Sequence, residues 1–106
     1  MLFAFNFSDK HLKELKKHNE VFYKLCCKLS VFSQSSIEEL ITYGKENGIT
    51  KITDRSIYKA LQVDTTITLY KFRISDKIRC YCKRNLESSN TLDLIFIDIN
   101  HVIQKG

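Results

Sequence analysis

The apolar positions of the chain change period along its length, and each change marks a change of secondary structure. Residues 2 to 7 alternate Leu2, Ala4 and Asn6 against Phe3, Phe5 and Phe7, a period of two that predicts a short strand with three rings on one face. Ser8 then stands where a helix N-cap belongs, and Leu12, Leu15, Phe22, Cys26 and Leu29 recur at three-, four- and seven-residue spacing, the stripe of one long helix. A second helix opens on the capping-box pattern Ser36-x-x-Glu39, buries Ile37, Leu40, Ile41 and Tyr43, and stops at Asn47-Gly48. The two helices read as a hairpin. Between residues 49 and 66 the pattern divides. Asp54 is placed to cap a short helix through Ile57, Tyr58 and Leu61, while Ile49 and Ile52 equally begin a strand; the short helix is favoured.

From Thr66 onward the runs become β-branched and aromatic, at Ile67 to Ile74, Ile78 to Lys83 and Leu92 to Ile99, parted by Ser75-Asp76-Lys77 and by the polar residues 85 to 90. This pattern predicts a three-stranded antiparallel meander. The unbroken Leu94-Ile95-Phe96-Ile97 predicts burial on both faces, as for a central strand covered by helices on at least one side. A chain of 106 residues, 43% hydrophobic and 27% charged, is long enough for one core and too short for two ordinary domains. The expected architecture is therefore a single α+β domain over residues 1–106, with an N-terminal strand and helical hairpin packed on a C-terminal antiparallel meander.

The turn between the first two meander strands decides what the sheet displays, because a slip of one residue sends every side chain to the other face. A two-residue Ser75-Asp76 loop would mix charged and apolar side chains on both faces. A three-residue Ser75-Asp76-Lys77 loop pairs Ile74 with Ile78, Phe72 with Cys80 and Tyr70 with Cys82, which gives one continuous apolar face. That register gathers Lys71, Arg73, Arg79, Tyr81 and Lys83 on the opposite face, with Arg73 across from Arg79 and Lys71 across from Tyr81. Like charges facing across a sheet repel, so the arrangement calls for an anion; the plain alternative is a solvated face that keeps the protein soluble. The formal net charge of +5 agrees with a polyanionic partner without choosing among nucleic acid, an anionic membrane and an acidic protein. Cations beside a ring are what an RNA site uses, charge for the phosphates and a ring for a splayed base.

A short strand, a helical hairpin, Leu69-Tyr70-Lys71-Phe72-Arg73-Ile74, a tight turn, Ile78-Arg79-Cys80-Tyr81 and a late apolar strand ending in Asp98-Ile99-Asn100-His101 together resemble the RelE/ParE toxin superfamily. The resemblance is residue-specific over about the last 40 positions. It implies the toxin of a toxin-antitoxin pair, neutralised by an acidic antitoxin protein; the cytoplasmic location is expected from Cys26, Cys27, Cys80 and Cys82, which fit free thiols in a reducing cytosol. In the RelE branch it implies a metal-independent endoribonuclease that cleaves mRNA, commonly on the ribosome, with no cofactor. Lys71, Arg73 and Arg79 then match the family's cleavage-site cations, and His101 matches its basic or His position after the last strand. Two departures stand out: Ser75-Asp76-Lys77 replaces a turn that usually carries Gly, and Ile103 or Gln104 replaces a frequent C-terminal aromatic. Base stacking would then fall to Tyr81, with Lys83 beside it as a second substrate-binding residue.

The implied chemistry is internal transesterification, in which a base withdraws the ribose 2′-proton, cations stabilise the charged phosphorus centre and an acid protonates the departing 5′-oxygen. His101 is the first choice for proton transfer because an imidazole titrates near neutral pH; Lys71 qualifies if neighbouring cations lower its pKa. Arg73 and Arg79 are the electrostatic stabilisers. His101 as an exposed chain-end residue, and Asp98 either orienting it or ending the strand, are the alternatives. Cys80 and Cys82 occupy apolar strand positions and are expected as core side chains rather than, with Cys26 and Cys27, zinc ligands. His11 and His18 are expected on a solvated or partner-facing side of the lysine-rich first helix. The apolar N-terminus lacks a basic leader and no apolar run approaches a membrane span. Neither a Walker-type loop, a Gly-x-Ser-x-Gly elbow nor a His-Glu-x-x-His site occurs. A non-catalytic nucleic-acid- or protein-binding module and a ParE-like topoisomerase inhibitor remain the competing readings.

Overall fold

The computed structural model describes residues 1–103; Gln104 lies outside them. In chain order it contains β1 (Leu2–Phe5), α1 (Asp9–Leu15), α2 (Asn19–Phe32), α3 (Ile37–Asn47), β2 (Thr50–Lys51), α4 (Arg55–Leu61), β3 (Leu69–Arg73), β4 (Arg79–Arg84) and β5 (Thr91–Asp98). The strands form one sheet in the order β1-β5-β4-β3-β2. β3, β4 and β5 make the expected antiparallel meander, β2 adds antiparallel to β3, and β1 runs parallel to β5. The sheet is thus mixed, and β5 is central, between β1 and β4. Both alternatives for residues 49 to 66 are realised. Thr50–Lys51 is a strand, and Asp54 caps α4 by accepting from the Ser56 N–H at 2.9 Å.

The long first helix is instead two. Its buried side chains are His11 and Leu15 in α1 and Leu25, Leu29 and Phe32 in α2. From Leu15 to Leu25 a straight helix turns through about 1000°, which leaves the two sets roughly 80° out of phase. The break at Lys16 to His18 brings both onto the sheet. Phe22 and Cys26, expected on the stripe, are consequently exposed. In α3 the capping box forms in full, but only Ile37 and Leu40 are buried, while Ile41 and Tyr43 face outward. The helix ends at Gly48, a position only glycine fits, since a Cβ there would sit 1.9 Å from the Leu40 carbonyl oxygen. The same carbonyl accepts from the Ile49 N–H at 3.0 Å.

Two cores share the sheet. On one face α2 and α3 cover Tyr70, Phe72, Cys80, Cys82, Leu92 and Leu94, so Cys80 and Cys82 are the core side chains their apolar positions predict. On the other face α4 packs Ile57 and Tyr58 against Ile52, Leu69 and Tyr81. A β-bulge lets Tyr81 pair with Phe96 and Cys82 with Leu94, so Ile95 is the extra residue on β5. It restores side-chain parity, and Phe96 and Asp98 share a face with Tyr81 and Arg79.

His11 overturns the expectation of a solvated surface. β1 covers the outer side of β5 only as far as Leu94. Beyond it the Ile97 N–H donates to His11 Nε2 at 2.9 Å. The imidazole is buried and stacks on Phe96 at 4.3 Å, with the Phe7 ring edge-on at 5.5 Å. Acceptance at Nε2 fixes the neutral ring with its proton on Nδ1. Burial lowers its pKa, against the opposing pull of Glu14, whose carboxylate lies 3.7 Å from Nδ1. His18 stands at the N-cap of α2, exposed as expected.

Candidate nucleic-acid interface

The hairpin of β3 and β4 has the register that burial of the apolar face demands. Phe72 pairs with Cys80, Tyr70 with Cys82, Lys71 with Tyr81 and Arg73 with Arg79. The Ile74 N–H donates to the Ile78 carbonyl at 2.8 Å across the three-residue turn. At this end of the sheet the row Arg73, Arg79, Asp98 crosses three strands; two rows inward, on the same face, runs Thr50, Lys71, Tyr81, Phe96.

Helix α3 adds a cation that sequence reasoning missed. Gly44 takes a left-handed φ of 79° inside the last turn, a conformation that costs glycine little. Lys45 follows it, and together with Thr50, Lys71, Phe72, Arg73 and Arg79 it lines a cleft of about 20 Å³. That volume is water-sized, enough for one oxygen of a phosphate and too small for a base. The signal in the sequence was a glycine and a lysine just before a helix end, which on a linear reading is only a C-terminal cap.

Electrostatics at the cleft fall on Lys71. Its pKa is lowered, first by burial, then by Arg79 and Lys45, while Asp54 opposes the shift. Glu46, next to Lys45, approaches Arg73 Nη1 at 3.6 Å and offsets part of that charge. Tyr81 departs from expectation. Its ring is 0% exposed beneath α4, so no face is open for a base to stack on. Burial and the nearby Asp98 push the phenol up to about 12, with Arg79 pulling the other way, and it stays protonated at neutral pH. Alternation alone could not separate a ring facing solvent from one facing a helix on the second side of the sheet.

Lys83 lies on the same face but four residues along β4 from Arg79, opposite Leu69 and Asp93, and is not among the residues lining the cleft. His101 comes three residues after Asp98, at the sheet end that carries Arg73 and Arg79, half-buried and with a left-handed φ of 57°. It too lies outside the cleft lining. Asp98 fastens the turn that carries it, accepting from the Val102 N–H at 2.9 Å and the Ile103 N–H at 3.0 Å. Ile103 packs against the core that buries Tyr81.

If the four cleft cations hold phosphates, each contributes to the salt dependence of binding. For single-stranded RNA, Lys45→Ala is expected to flatten the slope of log affinity against log salt by roughly 0.7. A fluorescence titration from low to moderate salt measures it; an unchanged slope removes Lys45 from the site.

Comparison with protein-family models, with curated proteins and with solved structures finds no match to this chain. Among the described residues, no helix is long and apolar enough to cross a membrane.

Proposed function

We propose that the chain is a RelE-like endoribonuclease, the toxin of a toxin-antitoxin pair, which cleaves RNA by internal transesterification at the cleft between α3 and the hairpin of β3 and β4. One observation carries the reading: Lys45, Lys71, Arg73 and Arg79 converge on a phosphate-oxygen-sized cleft, where burial first, and then Arg79 and Lys45, lower the pKa of Lys71. A lysine so placed has a larger neutral fraction near neutral pH, which suits it to withdraw the 2′-proton. Arg79, Lys45 and Arg73, the last also paired with Glu46, stabilise the charge that develops on phosphorus. His101, carried by the turn that Asp98 fastens, is the donor to the departing 5′-oxygen. Tyr81 drops out of the substrate contacts, and Lys83 becomes at most a distant phosphate contact. The reaction uses the 2′-hydroxyl as its own nucleophile, so no cofactor enters it.

The test is cleavage of an end-labelled single-stranded RNA, with the products examined for 2′,3′-cyclic phosphate ends. Lys71→Gln should lower the rate by roughly 10²–10⁴-fold while changing affinity far less. Because Lys71 must be neutral and His101 protonated, the wild-type rate should pass through a maximum with pH, and its alkaline decline should set in below the ordinary lysine value of 10.5. Induced in bacteria, the wild-type protein should arrest growth and create new 5′ ends inside transcripts. RNA bound but left intact would favour a non-catalytic binding module. Growth arrest with DNA damage and whole transcripts would favour the topoisomerase reading.

A further inference from the structure

We infer that the open edge of β1, with the flank of α2 beside it, is a groove for an extended segment of another protein, apolar along its length and acidic at the end meeting the corner of α1 and α2. β1 is the last strand on its side of the sheet and pairs, among the described residues, with β5 alone. The Leu2 and Asn6 N–H groups donate inward, to Asn90 and Leu94 carbonyls at 2.9 and 2.8 Å. By alternation the Phe3 and Phe5 backbone groups point away from β5. An open edge of this kind templates a further strand.

Helix α2 roofs that edge. The Phe22 ring lies 5.9 Å from Phe5 near the start of α2, and the Met1 amino group donates to the Ser33 carbonyl at 3.2 Å just past its end. The helix therefore runs the length of β1 in the opposite direction. With Leu25, Leu29 and Phe32 turned to the core, helical spacing puts Phe22, Cys26 and Ser33 on the flank toward β1. An exposed strand edge is what strand addition uses: backbone hydrogen bonds give affinity and side-chain pockets give specificity. The apolar surface is already in place: Leu2 is 66% and Phe5 55% exposed, and Leu12, Leu15 and Phe22 line a hollow of about 210 Å³ where α1 meets α2.

Charge chooses the occupant. Lys16 lines that hollow, and Lys13 and Lys17 flank it in the sequence. The one acid of α2, Glu20, is paired with Lys24 at 3.4 Å. A second copy of the chain would bring the same lysines to the groove, whereas an acidic segment complements them. The site is on the opposite side of the sheet from the cationic cleft, so it stands or falls independently of the ribonuclease reading.

The test uses the whole chain and a synthetic peptide of roughly ten residues alternating Val and Thr with glutamates at one end. Amide hydrogen exchange should slow at Phe3 and Phe5 when peptide is added, while Leu2 and Asn6, already bonded inward, stay unchanged. Lysines in place of the glutamates should weaken binding by roughly tenfold at low salt, and Phe22→Ser should do so by a similar factor with the melting temperature held. RNA affinity should not move. The inference is overturned by unaltered Phe3 and Phe5 exchange at millimolar peptide, by equal binding of the two peptides, or by self-association of the chain through those same amides.

Discussion

Arg79→Ala lowers the rate of RNA cleavage by roughly 10²–10³-fold and moves the pH-rate profile to higher pH. Two consequences of one lost charge combine. The guanidinium can hold two phosphate oxygens at once and stabilise the negative charge that grows on them, which no alanine or water does as well. It is also the foremost of the charges that lower the pKa of Lys71, so without it Lys71 is more fully protonated at any given pH and becomes a poorer base. The sign is fixed: removing a neighbouring cation raises a lysine's pKa. Arg79→Lys restores the charge near Lys71 without the bidentate geometry, so it should recover the pH profile more completely than the rate. A rate loss in Arg79→Ala with an unmoved pH profile would mean that Arg79 does not act on Lys71, and unaltered cleavage would remove it from the site. Arg79 faces the buried Asp98 across the strands, so denaturant melts of both variants must accompany the kinetics.

His11→Ala is expected to destabilise the fold by about 2–4 kcal/mol, from a cavity beside Phe96 together with a buried Ile97 N–H left without its acceptor. His11→Gln, whose side-chain oxygen can reach the same N–H, should recover most of that loss. The wild type carries a pH signature as well. The folded-state pKa of His11 lies below 6.5, so below that pH the unfolded chain binds more protons than the folded one. Stability is therefore full above about pH 6.5 and falls as pH drops through the folded value. Urea melts between pH 7.5 and 5 should show this slope in the wild type and lose it in His11→Gln. Glu14 works against the shift, so Glu14→Gln should steepen the decline toward acid. A wild type whose stability is flat across that window would mean that His11 is not held neutral against the sheet.

Much of the architecture was legible because local rules and burial point the same way. The capping box at Ser36, the end of α3 at Asn47-Gly48, the cap at Asp54 and the turn Ser75-Asp76-Lys77 all stand where the sequence puts them. The register of β3 on β4 followed from one requirement, that Phe72, Cys80, Tyr70 and Cys82 share a buried face. The same requirement sets Arg73 opposite Arg79. These are short-range decisions, and a linear pattern holds the information for them.

Only the tertiary structure could decide what covers each face and which distant elements meet. Tyr81 reads the same whether its face meets water or α4; packing of Ile57 and Tyr58 makes it core. Lys45 reaches the cleft because α3 ends against β2 and β3, a meeting between segments far apart in sequence. The long helix is broken because Leu15 and Leu25 must both face one sheet, although each half is periodic by itself. His11, on a lysine-rich helix, is buried because β1 stops at Phe5 and leaves the Ile97 N–H without a strand partner. The sequence alone thus determined which residues alternate and where elements begin and end, since those depend on neighbours along the chain. The fold determined which cations share a cleft and which ring and imidazole are buried, since burial and field are sums over atoms that the chain brings together only in three dimensions.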